Sequence, residues 1–386
     1  MDKVRIGIVG LGTMGSAHAK YLLAGDVEGA ELTAVSSIFE SSCDFAKKQM
    51  PDSVSFYDSA EALFASGDVD AVLIATPHYS HPELALAAFR HGLHVLIEKP
   101  AGVYTRQVRE MNAAAAKSGK VFGIMFNQRT HPIHKKLKEL IASGELGEIR
   151  RTNWIITSWY RSQSYYDAGG WRATWAGEGG GVLLNQCPHQ LDLWQWICGM
   201  PKSVHAFCGF GRYHEIEVED DVTAYVEYEN GATGVFITST GEAPGSNRLE
   251  IVGDRGKIVM ENDQLIFWRT RVSEREFNRD FKGGFGEPES WRCEIPIEGA
   301  HEEHKGITRS FVEAVRNGSP LEVPGEEGLK SLELANAMLL SGWLGRRVEL
   351  PIDDELFYEQ LQEKIQNSAS AKDALQGAVM DVSGTH

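Results

Sequence analysis

Residues 4–23 read VRIGIVGLGTMGSAHAKYLL. The first six, VRIGIV, form a β-branched apolar run that stops at Gly10. Small and apolar residues then recur at helical spacing over 13–24. Gly10, Gly12 and Gly15 make a GxGxxG pattern directly between the strand and the helix, a context far more specific than the pattern alone. Gly10 permits the tight turn, Gly12 lets backbone approach a pyrophosphate, and Gly15 allows the helix to pack close to the strand. With Thr13 and Met14 completing the loop, the helix N-terminus offers oriented N–H donors. The segment predicts a bound dinucleotide.

Working outward, LTAVSS (32–37) reads as a second strand. Short helices are predicted over Phe45–Met50 and Ala60–Ser66. DAVLIAT (70–76), HVLIEKP (94–100) and VFGIMFN (121–127) are nearly continuous apolar runs, as strands buried on both faces require. Helical patterns over 82–91 and 105–118 separate them. The alternation predicts an α/β Rossmann domain, a doubly wound parallel sheet, over residues 1–128.

Beyond residue 150 the pattern changes. RTNWIITSWY, SVHAFCGF, DVTAYVEYE, ATGVFITSTG, RLEIVG and GKIVMEN read as consecutive strands. Asn230-Gly231 is a strong hairpin signal and Asp254-Arg255-Gly256 a weaker one. An α+β domain with a large, mostly antiparallel open sheet is predicted over 129–352. Its open sheet is expected to be buried against another subunit, and its helices (306–317 and 326–341) are free to pack back on the first domain. Residues 353–386 read as a helix (355–366) and a flexible tail.

The 386 residues correspond to about two or three domains. A net charge of −16 argues against nucleic acid or an anionic membrane surface as partner, since both are held by clustered Lys and Arg. Five cysteines form no CxxC pair, and no run of 18 apolar residues exists. A cytoplasmic protein is expected. His131-Pro-Ile-His134 and His301-Glu-Glu-His304 lack a third ligand and are not HExxH, so no metal is expected.

Three further segments, ATPHYSH (75–81), EKP (98–100) and GEGGGVLLNQCPHQLDLWQWICG (177–199), join the glycine loop. Together they resemble the glucose–fructose oxidoreductase/inositol dehydrogenase (Gfo/Idh/MocA) family, over Val4 to about Pro351. The resemblance implies that Ala75, Thr76, Pro77, His78, His81, Glu98, Lys99 and Pro100 line the cofactor. Ser37, Asn127 and the Trp171-Arg172 pair are placed with them. It implies Lys99 near the nicotinamide and the reacting hydroxyl, His189 as general acid/base, and Asp192 as a structural or orienting residue. Many members carry aspartate four residues before that histidine, where this chain has Asn185. An amide accepts no proton, so Asn185 is assigned to hydroxyl positioning. A dimer or tetramer is implied as well.

The second strand ends in Ser36-Ser37, with neither a carboxylate to repel a 2′-phosphate nor a cation before Lys47 to attract one. NAD and NADP both remain open, with the balance leaning to NAD. Six of nine tryptophans fall between 154 and 196 beside Tyr160, Tyr165 and Tyr166. About half are assigned to packing. Trp159, Tyr160, Arg161, Tyr165 and Arg129, with Lys99, Asn185 and His189, are the substrate candidates, suiting a sugar ring.

The reading is an NAD(P)-dependent oxidoreductase acting on a secondary hydroxyl of a carbohydrate, a pyranoside at ring carbon 3 or an inositol. The alternatives are redox-assisted glycoside cleavage on tightly held NAD, and a non-catalytic dinucleotide-binding regulator.

Overall fold

Six short runs of β-branched and aliphatic residues cannot satisfy their backbone alone, and they assemble side by side. In a computed structural model describing residues 3–38, 50–168 and 170–368, these are β1 (Val4–Val9), β2 (Ala30–Ser36), β3 (Ser55–Tyr57), β4 (Ala71–Ile74), β5 (His94–Ile97) and β6 (Phe122–Ile124). They form one sheet in the order β3-β2-β1-β4-β5-β6, every pair parallel. β4 is wholly buried, as a strand covered by helices on both faces must be. The order reverses between β1 and β4, and open α/β sheets bind ligands at that switch point. The helix expected at 45–50 and the tail beyond residue 368 fall largely or wholly outside the described residues.

The second sheet has nine strands. Its members are β7 (Ile149–Ile156), β8 (Ser203–Phe210), β9 (Glu219–Glu227), β10 (Thr233–Ser239), β11 (Asn247–Gly253), β12 (Gly256–Glu261), β13 (Gln264–Thr270), β14 (Ser290–Glu294) and β15 (Val348–Glu349). The order is β14-β13-β12-β11-β7-β10-β9-β8-β15. All pairs are antiparallel except β7–β10. Asn230-Gly231 turns β9 into β10, with Gly231 at φ +82°, and residues 254–255 turn β11 into β12. The sequence reading did not anticipate β3 in the first sheet or β13–β15 in this one. The turn Asn262-Asp263, both residues at positive φ, leads into β13, while β14 is an exposed edge strand lacking apolar alternation.

Helix Gly328–Leu344 packs on β8 and on helix Pro188–Cys198, covering one face of the sheet. The other face exposes Ile155, Phe207 and Tyr225. Helix Glu303–Asn317 leaves the second sheet's sequence and lies instead on β1, β5 and β6 of the first. Helix Asp354–Gln366 is tied to helix Thr105–Ser118 through Arg109, which pairs with Glu333 (2.7 Å) and Asp354 (2.9 Å).

Candidate active site

The glycine loop works by what its missing side chains would strike. A Cβ on Gly15 would sit 1.8 Å from the Gly10 carbonyl oxygen, so only glycine lets the helix Thr13–Leu23 start so close to β1. A Cβ on Gly12 would meet nothing within 4 Å, leaving an open cradle at the helix N-terminus. That space, beside the β1/β4 switch point, fits a pyrophosphate. Ser37, buried, follows the end of β2.

Two turns form the floor beside this loop. His81 is fully buried, its Nδ1 2.8 Å from the Pro100 carbonyl and its Nε2 2.7 Å from that of Thr76. Its ring therefore shapes the floor from beneath. Ser80 donates to Thr76 Oγ1 at 2.7 Å. Glu98 also faces inward: His18 Nε2 lies 2.7 Å from Oε1, and the Lys99 N–H donates to Oε2 at 3.1 Å. Burial opposes its ionisation, but the His18 hydrogen bond and charge prevail and bring its pKa to about 2. Tyr21 carries the network on, its hydroxyl 2.8 Å from His18 Nδ1 and 2.7 Å from Thr308 Oγ1. The polar atoms of His81 and Glu98 are thus committed within the protein, and both side chains support these turns from behind.

Lys99 points the opposite way along the chain's alternation. At the carboxyl end of β5, before the cis Lys99–Pro100 bond, its Nζ donates to the Asn185 carbonyl at 2.9 Å. Burial lowers its pKa, against the pull of Glu98. His189, in the first turn of helix Pro188–Cys198, packs edge-on against Phe126 with ring centroids 6.0 Å apart. Its Nδ1 is buried without a partner. Burial, and next the Lys99 ammonium, hold it well below the ordinary histidine value, so it stands as a neutral imidazole. The side-chain Oδ1 of Asn127 is likewise buried without a partner.

Glu178, not anticipated from sequence, is the carboxylate of this site. Asn185 donates its Nδ2 hydrogen to Glu178 Oε1, and the Ala173 N–H donates to Oε2 at 2.7 Å. Burial raises its pKa, opposed first by Arg172. Asn185 thus spends its amide on a neighbouring acid. The signal was present, since GEGGG supplies a carboxylate seven residues before Asn185. Behind the turn, wholly buried Glu219 accepts from the Gly181 N–H (2.9 Å) and the Leu183 N–H (3.0 Å). Burial lifts its pKa to about 7 despite those donors.

The 157–187 segment closes the other side. His78 Nδ1 lies 3.2 Å from the Glu178 carbonyl, and its ring meets Trp171 edge-on at 5.4 Å. Arg172 donates to the Tyr165 hydroxyl at 2.6 Å, and Gln186 donates to the same oxygen at 3.2 Å. The Arg161 guanidinium stands over the rings of Trp159 and Tyr165, at 5.6 and 5.2 Å. The Tyr160 ring is exposed. Trp154, Trp175 and Trp194 are core residues.

Arg129 is the substrate candidate the structure takes elsewhere. Its guanidinium is 3% exposed and grips Asp192 through Nε (2.7 Å) and a terminal nitrogen (2.5 Å), with Glu327 at 3.1 Å. A buried aspartate needs a cation, and Arg129 supplies it. The depression it lines with Trp196, Met200 and Lys330 shares no residue with the Lys99 group. His131 meets the rings of both His134 and His301 at tilted angles, and no group able to hold a metal occurs among the described residues. No helix among them is long and apolar enough to cross a membrane.

A parallel sheet with a dinucleotide cradle at its switch point and a lysine–histidine pair beyond the neighbouring β5, joined to a second, mostly antiparallel sheet, defines a class of nicotinamide-linked oxidoreductases. Comparison narrows it. Residues 4–126 match the oxidoreductase family, NAD-binding Rossmann fold, and residues 134–259 match the GFO/IDH/MocA C-terminal domain. The chain is 28% identical to the myo-inositol 2-dehydrogenase of Thermotoga maritima, over 86% of this chain and 95% of that one. It is 31% identical to the D-glucoside 3-dehydrogenase of Escherichia coli, over 59% and 68%. The WlbA dehydrogenase of Bordetella pertussis, solved with NADH and UDP-GlcNAcA, superposes with a TM-score of 0.76 at 27% identity, covering 91% of this chain and all of that one. The chain belongs to the Gfo/Idh/MocA family of NAD-binding oxidoreductases.

Proposed function

We propose that this protein oxidises a secondary hydroxyl of a carbohydrate, a pyranoside at ring carbon 3 or a cyclitol, with Lys99 and His189 managing the proton. The observation that carries the reading is the convergence of those two side chains at the carboxyl end of β5 beside the cradle, with burial holding His189 in its neutral form. A neutral imidazole is the form that can accept a hydroxyl proton, and the Lys99 ammonium stabilises the developing alkoxide. When bound, the nicotinamide supplies the hydride acceptor. Asn185, held by Glu178, fixes the Lys99 ammonium through its carbonyl. Gly10, Gly12, Thr13, Met14 and Gly15 would hold the pyrophosphate, with Ala75, Thr76, Pro77, His78, Pro100, Trp171 and Arg172 around the rest of the dinucleotide. The Ser36-Ser37 strand end carries no cation for a 2′-phosphate, which favours NAD. The open sheet face bearing Phe207 and Tyr225 would be the contact of a homodimer or homotetramer.

The test is reduced-nicotinamide formation with NAD and with NADP over a panel of alkyl glucosides, free aldoses, inositols and sugar acids. Turnover of one sugar class with NAD is expected. Lys99→Met and His189→Asn should each lower kcat by about 100-fold or more while folding is retained. Wild-type rates in both variants would refute the assignment.

A further inference from the structure

Three cations converge on this cleft. Arg161 and Arg172 are the positive charges felt by Lys99, and Arg161 and Arg172 flank Tyr165 together. The nearby carboxylates, Glu98 and Glu178, act on Lys99 and Arg172 and form no ion pair with Arg161. Glu98 is turned away to His18, and Glu178 is committed to Asn185 and the Ala173 N–H. Arg172 reaches the Tyr165 hydroxyl and stands over Trp171 at 4.8 Å, on the cofactor side. Arg161 is different. Its backbone is fixed by an N–H bond to the Thr240 carbonyl (2.9 Å), and one terminal nitrogen donates to the Tyr160 carbonyl (2.9 Å). Its Nε is buried and donates to nothing. Beside it, Trp159 Nε1 and Gln186 Oε1 are also buried without partners.

The guanidinium as a whole is half-buried, but an N–H buried at its Nε edge without an acceptor costs free energy unless a ligand supplies one. The planar Nε edge matches two oxygens of a carboxylate. The indole N–H beside it is a second donor, and the Gln186 oxygen is an acceptor suited to a ring hydroxyl. We propose that Arg161, with Trp159, binds a carboxylate carried by the sugar, making the substrate an acidic sugar rather than a neutral one. The turnover part of the test rests on the dehydrogenase reading above, whereas the binding part does not.

The experiment compares methyl β-D-glucopyranoside, its 6-carboxylate (the methyl glucuronide) and glucose 6-phosphate on the full chain. Turnover is followed with NAD, and binding by calorimetry with NADH present. The glucuronide should exceed the neutral glucoside by about tenfold or more in kcat/KM and in affinity, the range of a charged hydrogen bond. Arg161→Gln should remove that preference, mostly through KM, and Arg161→Lys should restore part of it. Equal handling of glucuronide and glucoside, or an unchanged preference in Arg161→Gln, overturns the inference. A preference for the phosphate over the carboxylate overturns it too. If no sugar is turned over but the glucuronide binds in an Arg161-dependent manner, the inference stands and the dehydrogenase reading falls. If the wild type binds no glucuronide, the inference falls.

Discussion

The two halves of the site are built on different principles. The glycine loop, residues 10–15, is largely a local object: Gly15 answers a clash with the Gly10 carbonyl and Gly12 an opening, both within the turn, and only Gly10 also faces backbone from outside it, the Ala75 carbonyl. The wall facing it is assembled from afar. Glu178 meets Asn185, Lys99 meets the Asn185 carbonyl, and the turn carrying them hangs on Glu219, some forty residues downstream by sequence number. Local geometry is written in neighbouring residues; convergent geometry depends on packing between distant ones.

The sharpest way to break the local half is Gly15→Ala. Its new methyl carbon would meet a backbone carbonyl at 1.8 Å, which no rotamer relieves. We expect loss of dinucleotide binding and destabilisation above about 4 kcal/mol in denaturant unfolding. Gly12→Ala, with open space around it, should fold normally and lose only affinity for the dinucleotide, measured by calorimetry.

In the convergent half, Arg129→Met leaves the Asp192 carboxylate buried without its cation. A loss of about 3–5 kcal/mol is expected from urea unfolding. A purely substrate-binding Arg129 would instead raise KM and leave stability alone.

Glu219 gives a smaller, pH-dependent signature. Its folded pKa of about 7 lies above the ordinary 4.5, so between those values the folded state holds the proton and the unfolded chain does not. Stability from this group is therefore greatest at low pH and is lost as pH rises from about 4.5 through 7, by about 3 kcal/mol. Urea unfolding at pH 5 and pH 8 should show that decline in the wild type and not in Glu219→Gln. A decline of equal size in both proteins would show that another group titrates. The smallest effect belongs to Tyr160→Ala, whose exposed ring should leave stability within about 0.5 kcal/mol.

The same contrast explains what could be read in advance. The parallel sheet was legible because AVLI and HVLI announce strands buried on both faces, and Asn230-Gly231 announces its own hairpin. β14 was not, because SWRCE is an exposed edge strand that takes its identity from β13 beside it. Lys99 and His189 were picked out by motifs; Glu178 was passed over because a carboxylate inside a glycine turn has no periodicity to mark it. The buried pairing of Arg129 was hidden for a related reason. Sequence shows a cation near a pocket-forming segment, but only the fold shows that Asp192, 63 residues away, already claims it.

The hydrogen-bonded line from Glu98 through His18 and Tyr21 to Thr308 bears on modularity. Thr308 belongs to a helix that follows all but the last short strand of the second sheet in sequence, yet it completes the interior of the first domain. The cofactor-binding unit is thus discontinuous along the chain. Exchanging halves between relatives at residue 128 would transplant a Rossmann domain without its closing helix, baring the Tyr21 hydroxyl and one side of β1, β5 and β6. A chimera that keeps its own 303–317 with its own 1–128 respects the true seam, which is spatial and not sequential.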